Sequence, residues 1–258
     1  MPRLGQMAVV AARQALGCLT DENGAPKGPS PLLSRYSDER IGVVLGTGLG
    51  GIDLTIEFMG QYIDGGPSVA SPALFPYTVM NAAGALVAME LGLKGPSVTV
   101  NHRDLSCVEA LATATELLAL GRCDAVLAGG CDELSGCVVH AGERLGFLSP
   151  AGDPATIGSD GFFPLRPYDR RRAGFAPGEG ATMFLVERRS DAEARDAIIY
   201  AELCGLGRGG DARARLGYAA STDGSQGAVF AVEDSLAAIG SDAIDWVAGS
   251  GNGTALDA

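Results

Sequence analysis

The segment Gly95–Leu111 combines residue types and spacing that suit a reactive turn. The β-branched run Val98–Val100 predicts a short strand, polar residues follow at once, and apolar residues with helical spacing begin at Leu105. A sharp turn between strand and helix directs one side chain at the first backbone N–H groups of the helix. Those groups stabilise an anion and lower the pKa of a thiol, so catalytic cysteines often occupy this position. Here the position holds Asp104.

Other side chains near this turn bear on its chemistry. Cys107 lies three residues further on, nearly one turn into the predicted helix, where a cysteine is usually an inert small hydrophobe. It is nevertheless the fallback nucleophile. His102 lies in the turn as a polar lining residue or a gate, whereas His140 is predicted to be a surface or satisfied histidine. Asp104 also has a structural interpretation, as an N-cap that accepts from the N–H of Ser106 or Cys107.

The rest of the chain alternates predicted helices with predicted strands. Apolar periodicity predicts helices over 4–18, 52–63, 77–91, 105–121 and 227–239, and strands over 41–45, 98–100, 125–128, 181–186, 197–204 and 244–248. Residues 131–165, with Pro and Gly throughout, are predicted to be irregular. This alternation is typical of an α/β protein with a largely parallel or mixed sheet. Because the chain begins in a helix and stops after a glycine-rich turn, we expect it to be incomplete at both ends.

The stretch Gly46–Gly51 follows the first predicted strand and satisfies the dinucleotide fingerprint G-x-G-x-x-G. That fingerprint also requires a second strand that ends in an acidic residue about 20 positions further on. This chain has Asp64–Pro67 there, which predicts a loop. We therefore interpret the glycines as the means by which strand, turn and helix pack closely, rather than as a phosphate site.

Composition limits the class of protein. The 258 residues suffice for one large domain or two closely packed halves, 47% of them are hydrophobic, and no apolar run is long enough to span a membrane. The net charge of −12 argues against binding nucleic acid and against docking another strongly acidic partner. Six cysteines without a Cys-x-x-Cys pair, and only two histidines, argue against a metal site. They predict buried free thiols in a cytoplasmic protein.

Four segments occur in an order and spacing that carry a family resemblance. They are Ser71–Pro76 running into Asn81, Gly95–Val100, Gly121–Asp124 running into Gly129 and Gly130, and Arg166–Phe175 with Gly178–Gly180. Together they resemble the β-ketoacyl synthases of fatty-acid and polyketide assembly. The resemblance implies a thiolase-like, layered αβαβα fold with mixed sheets. It also implies one β-ketoacyl synthase-like domain over residues 1–258, covering the N-terminal half and the start of the C-terminal half.

The resemblance identifies two replaced groups. The synthases carry a Thr-Ala-Cys nucleophile after the first of these strands and a His-Gly-Thr motif after a later one, and ungapped alignment puts Asp104 at the cysteine and Ser250 at the first histidine. Condensation in the family needs a thiolate and histidine-assisted decarboxylation. A carboxylate is a far weaker nucleophile than a thiolate, and a serine hydroxyl supplies neither positive charge nor the proton. We therefore expect a pseudo-active site at Asp104 and Ser250.

A ketosynthase homologue without its cysteine resembles the chain-length factors, non-condensing subunits that pair with an active synthase. The resemblance implies a heterodimer with a ketosynthase subunit, or else a homodimer, in which the strand at Val98–Asn101 pairs antiparallel across a two-fold axis. Acyl groups would arrive on the phosphopantetheine of an acyl carrier protein, and the chain would need no cofactor of its own. The alternative is an active 3-oxoacyl-ACP synthase that uses Cys107.

The same resemblance points to residues beside the acyl channel. Bulk at Leu74, Phe75 and Met80 would limit how far a growing chain extends, and His102 would line the channel. Two further candidates, Leu86 and Met89, share the predicted helix with Met80. Ordinary core packing is the alternative for each methionine.

Overall fold

The structure is a computed structural model that describes residues 1–17, 35–146, 148, 167–170, 174–210, 226–240 and 244–249. It contains two compact units. The first unit comprises Met1–Gly136 and Gly178–Ile199, and the second comprises Cys137–Pro177 and Tyr200–Ala258. The predicted reactive turn lies in the first unit.

Helices and strands alternate along the first unit, as the sequence predicts. In chain order its elements are α1 (Arg3–Ala15), β1 (Ile41–Gly46), α2 (Ile52–Gly65), α3 (Ala82–Leu91), β2 (Ser97–Val100), α4 (Ser106–Ala119), β3 (Ala125–Asp132), β4 (Gly180–Glu187) and α6 (Arg189–Glu193). Short 3-10 turns lie at Asp38–Arg40, Phe75–Tyr77 and Arg103–Leu105. The second unit holds α7 (Gln226–Ile239) and most of α5 (Gly136–Leu145).

A four-stranded mixed sheet with the order β2-β1-β3-β4 forms the centre of the first unit. Strand β1 runs parallel to both β2 and β3, whereas β4 is antiparallel to β3. The carboxyl ends of the three parallel strands therefore meet at one edge of the sheet. That edge is where the reactive turn begins, directly after β2.

Helices cover both faces of this sheet, which is why β1 is apolar throughout. Along β1, Ile41, Val43 and Leu45 face α1 and α3, whereas Val44 faces α4. Side chains alternate across a pleated strand, so a strand covered on both faces has no polar positions. The observed α-β-α layering confirms the predicted α/β class and mixed sheet.

Sequence patterns misplaced several elements. Helix α3 begins at Ala82 rather than at 77, because Phe75–Tyr77 forms a separate 3-10 turn around Pro76. Helices α5 and α6 lie where no helix was predicted. The segments 197–204 and 244–248 form no sheet ladder with any described residue, and Tyr200 and Trp246 are 92% and 81% exposed. The predicted strands are thus absent from the described chain, since β-propensity becomes a strand only beside a pairing partner.

The cysteines do not share one environment. Cys123 and Cys131 are buried, Cys107 is partly buried, and Cys137 and Cys204 are exposed. The prediction of uniformly buried thiols is wrong for the last two, while Cys18 lies outside the described residues. No helix in the described ranges is both long and apolar enough to cross a membrane.

A charged cluster around Asp124 fixes the start of β3 to the end of α4. The Asp124 carboxylate accepts hydrogen bonds from Arg40 Nε and Nη2, both at 2.9 Å, and from Arg188 Nη2 at 2.7 Å. Both arginines also donate to carbonyls at the helix end, Arg40 to Gly121 O and Arg188 to Leu118 O. These hydrogen bonds lower the pKa of Asp124 to about 2.

This pKa gives a prediction for pH-dependent stability. Because the folded-state pKa is depressed below the ordinary value of 3.8, the stabilisation is complete above about pH 5 and is lost as pH falls through 4 towards 2. We expect Asp124→Asn to lower the free energy of unfolding by about 1–2 kcal/mol at pH 7 and by clearly less at pH 3. Urea titrations followed by circular dichroism measure both values. The control Asp38→Asn, which removes the exposed pair with Lys94, should change stability by less than about 0.5 kcal/mol. If Asp124→Asn lowers the free energy of unfolding equally at both pH values, the depressed pKa of Asp124 is contradicted.

Candidate functional site

The turn after β2 has the predicted strand-turn-helix geometry. The chain leaves β2 at Val100, passes through the 3-10 turn Arg103–Leu105 and enters α4 at Ser106. Asp104 lies in the middle of this turn and is exposed to solvent. Arg103 adopts a left-handed conformation with φ 53°, which is uncommon for a residue other than glycine and often marks functional turns. The structure therefore presents Asp104 at the tip of the turn formed by residues 101–106, which we call the elbow.

Asp104 does not cap α4, so the predicted N-cap is wrong. The N-cap residue is Leu105, and no side chain makes a capping hydrogen bond to this helix. Asp104 stands one residue before this N-cap, inside the 3-10 turn Arg103–Leu105. Ser106 holds the turn instead, because its hydroxyl accepts from His102 N–H at 2.9 Å and donates to Arg103 O at 2.6 Å. The carboxylate of Asp104 is thus left at the surface.

The glycine-rich loop after β1 binds a carboxylate of its own chain. Asp132 at the end of β3 accepts from the N–H groups of Gly48 and Leu49, both at 2.9 Å, and from the Thr47 hydroxyl at 2.7 Å. The same hydroxyl accepts from the Gly50 N–H at 2.9 Å. The donors that would cradle a phosphate are therefore used within the fold, which agrees with the structural interpretation of G-x-G-x-x-G.

The carbonyl groups of the same loop hold the elbow. Asn101 Nδ2 donates to Thr47 O at 2.8 Å and lies 3.1 Å from Gly48 O. The Ser106 hydroxyl also lies 3.2 Å from Thr47 O. Beneath them, a Cβ on Gly46 would stand 2.2 Å from Ser106 O, so only glycine allows α4 to approach β1 this closely. Thr47 thus connects Asp132 to the elbow.

Sequence reasoning missed Thr47, Asn101 and Asp132, although a signal was available. Each is a polar residue at the carboxyl end of one of the three parallel strands β1, β2 and β3. Such ends converge at the edge of the sheet where α/β proteins place their sites. The predicted strand ends bring Thr47 and Asn101 to this edge, whereas Asp132 lies four residues beyond the predicted strand end at 128 and reaches the edge because β3 continues to Asp132.

Cys107 lies one residue inside α4 and packs against β3. A Cβ placed on Gly130 would stand 2.8 Å from Cys107 Cβ and 3.2 Å from its Sγ. Burial raises the pKa of the Cys107 thiol. A reactive cysteine needs the opposite shift, since the thiolate is the nucleophile. This environment supports the interpretation of Cys107 as a packed helix residue.

The predicted channel residues fall into different environments. Phe75 is exposed with its ring 5.7 Å from that of Phe58, and Leu74 is half-buried. Met80 is partly exposed and lies against the loop below the elbow, where a Cβ on Gly50 would meet its Sδ at 2.5 Å. These side chains stay available to line a cavity, and core packing does not account for Met80.

The remaining candidates are also placed by the structure. Leu86 is 8% exposed within the core formed with α1, whereas Met89 is 69% exposed, so core packing explains only the leucine. His102 is exposed beside Asp104, and His140 is exposed 3.9 Å from Glu143 in α5. Ser250 lies outside the described residues. In the described ranges, no group of three or more His, Cys, Asp or Glu is placed to hold a metal ion.

The sequence profile described as "Beta-ketoacyl synthase, N-terminal domain" matches residues 6–192. The chain belongs to the β-ketoacyl synthase family. It is 31% identical over 224 residues to 3-oxoacyl-(acyl-carrier-protein) synthase 2 of Vibrio harveyi, an alignment that covers 87% of this chain and 50% of that protein. The chain thus spans about half the length of the curated relatives it matches.

Solved structures give the same assignment. A β-ketoacyl synthase from Burkholderia phymatum matches with a TM-score of 0.74 and 27% identity, covering 93% of this chain and 54% of that one. The ishigamide ketosynthase/chain length factor matches with a TM-score of 0.57 and 28% identity, covering 80% of this chain and 48% of that one. These comparisons confirm the thiolase-like ketosynthase fold and show that the chain is partial relative to its neighbours.

The Asp132 contacts give a prediction for the elbow. Asp132→Asn removes the negative charge and one of the two acceptor oxygens, so the hydrogen bonds from Gly48 and Leu49 are weakened or lost. We expect the free energy of unfolding to fall by about 1–3 kcal/mol and hydrogen exchange to accelerate at Gly48, Leu49 and His102. Urea titration and amide exchange measure the two effects. Asp64→Asn, at an exposed position of α2, is the matched control and should leave both unchanged. Unaltered exchange in Asp132→Asn would refute the proposed connection between loop and elbow.

Proposed function

We propose that this ketosynthase-family chain is a non-condensing, chain-length-factor-like subunit that pairs with an active ketosynthase and shapes its acyl channel. The pathway would be of type II polyketide, aryl-polyene-like or fatty-acid type. The observation that carries the proposal is the exposed Asp104 at the tip of the elbow, the position that the ungapped alignment assigns to the cysteine of the family's synthases. The likeness to a ketosynthase/chain length factor structure supports it.

The chemistry of the side chains at the elbow supports the absence of condensing activity. A carboxylate at Asp104 is a weak nucleophile toward a thioester, and its attack would give a labile mixed anhydride. Burial raises the pKa of the Cys107 thiol, three residues further on, which disfavours the nucleophilic thiolate. Neither group suits acyl transfer at neutral pH. Ser250, at the position of the first catalytic histidine, would hydrogen-bond to a developing enolate but supply no positive charge.

The retained parts of the site suit a shaping role. Met80 stands against the loop beneath the elbow, and Phe75 is held by Phe58 with its ring partly exposed. Beside a partner's channel, these side chains would set the space left for a growing acyl chain. The chain would need no cofactor of its own, because acyl groups would arrive on the phosphopantetheine of an acyl carrier protein. Since acyl carrier proteins are strongly acidic and this chain carries −12, the synthase partner would supply the docking surface.

The alternative function is an active 3-oxoacyl-ACP synthase that uses Cys107. The curated relatives favour it, since the Vibrio harveyi protein bears that name. Under this alternative, Cys107 would become acylated by an acyl thioester during turnover. The packing of its side chain against Gly130 and its raised pKa both oppose that step.

Co-expression with the cysteine-bearing ketosynthases of the same genome tests the proposal. We expect a stable heterodimer on sizing, no condensation by this chain alone, and no acylation of Cys107 by intact-mass and peptide analysis after incubation with acyl-ACP. Stoichiometric acylation of Cys107 would establish the enzyme hypothesis instead. If no ketosynthase gives a complex, the subunit role fails. An acyl-binding homodimer on sizing would also replace it.

Restoring a thiol tests whether Asp104 occupies the nucleophile position. We expect Asp104→Cys to react with a ketosynthase-directed electrophile at pH 7 about ten times faster than Leu120→Cys, because the N-terminal end of a helix lowers a thiol pKa and the C-terminal end does not. Leu120 is the control because it is exposed and lies at the opposite end of α4. Rates are read by peptide mass spectrometry. Equal rates for the two variants would show that the elbow does not activate a nucleophile at residue 104.

A further inference from the structure

Helix α2 has no buried residue, which is unusual for a 14-residue helix. Its exposed apolar side chains Ile56, Met59 and Ile63 are spaced i, i+3, i+7 and so share one face, with Ile63 73% exposed. An amphipathic helix normally packs such a face against a hydrophobic core. An exposed apolar patch with a polar rim marks an interaction site.

The opposite side of α2 is firmly attached to the segment 66–80. The ring of Phe58 lies 5.7 Å from that of Phe75, the Thr55 hydroxyl lies 3.2 Å from Thr78 O, and Gln61 Oε1 accepts from Ser71 N–H at 2.9 Å. In the first turn of the helix, the Asp53 carboxylate also accepts a hydrogen bond from the hydroxyl of the buried Ser135. The apolar side is therefore presented as a preformed surface.

The charges on and around α2 limit the kinds of partner that can bind its apolar face. Helix α2 carries Asp53, Glu57 and Asp64, and the sequence contains no lysine or arginine from Ile41 to Leu93. Glu57 and Asp64 lie along one flank of the apolar face at 100° per residue. Anionic lipid and nucleic acid are repelled by such a surface. A second copy of the chain, also at −12, would bring like charges against it.

We propose that the α2 face (Ile56, Met59 and Ile63, flanked by Glu57 and Asp64) binds a protein surface with an apolar centre and a rim of Lys and Arg. The inference rests on the proposed function, in which that protein is the ketosynthase subunit. Apolar residues at the centre supply the binding energy, and the acidic flank selects the partner and its orientation.

The test measures affinity for a co-expressed, cysteine-bearing ketosynthase with single substitutions on exposed positions. We expect Ile63→Glu to weaken binding by about 100-fold, because it places a charge in the apolar centre. Glu57→Lys should weaken it about tenfold at low salt and reduce its salt dependence. The matched control is Val10→Glu on α1, which is 51% exposed and should leave affinity unchanged. Circular dichroism checks that each variant is folded.

Other outcomes separate this inference from the proposed function. If the wild-type chain binds the ketosynthase and Ile63→Glu binds equally well, the α2 face is not the docking surface, and only this inference fails. If the wild-type chain binds no ketosynthase, the proposed function fails as well. Co-sedimentation of the wild-type chain with phosphatidylglycerol vesicles would identify a membrane surface instead. A homodimer that Ile63→Glu dissociates would identify a second copy as the occupant. Either result overturns the inference.

Discussion

The Asp132 carboxylate accepts hydrogen bonds from the loop that follows β1, and this contact organises the whole edge of the sheet. Through Gly48 and Leu49 it fixes a glycine-rich turn that would otherwise expose free N–H groups. Through Thr47 it reaches Asn101 and the elbow. A buried or half-buried N–H without an acceptor is costly, so the turn keeps this geometry only while the carboxylate is present. Contacts among residues at the ends of three strands therefore determine the conformation of the elbow.

An elbow held by these contacts can lose its reactive side chain without a change in its backbone conformation. The side chain at residue 104 points to solvent from a 3-10 turn and makes no cap to α4, so the fold does not depend on its identity. Ser106, Arg103 and His102 close the turn among themselves. A nucleophile at this position could be exchanged for a carboxylate while the surrounding contacts stayed intact. This independence makes a non-condensing member of a condensing family physically reasonable.

The rest of the first unit provides rigidity behind the elbow and an open surface beside it. Helix α4 is fixed at its end by the arginines around Asp124 and at its start by close approach to Gly46. Helix α2, in contrast, contributes no residue to either core and faces outward with apolar and acidic side chains. The elbow and the exposed α2 face thus occupy adjacent parts of one unit. This arrangement fits a subunit whose role depends on a partner.

Local patterns in the sequence determined much of this structure. The apolar run of β1, the β-branched run of β2 and the helical spacing after Leu105 specified the elements, and their alternation specified an α/β fold with a mixed sheet. Four motifs between Ser71 and Gly180, taken together in their order and spacing, indicated the family, which the family profile confirms. The sequence also located Asp104 at the tip of the turn.

Tertiary structure decided how those elements are used. Nothing local distinguishes Asp132, which binds the loop across the sheet, from an exposed aspartate, because its partners lie 83 to 85 positions away in sequence. The 3-10 turn removed Asp104 from its predicted cap, and the approach of β3 to α4 raised the pKa of Cys107. Residues 197–204 have strand composition yet form no sheet ladder with any described residue. The composition of a segment limits which secondary structure it can form. Contacts with distant segments decide which structure it adopts and which role its side chains take.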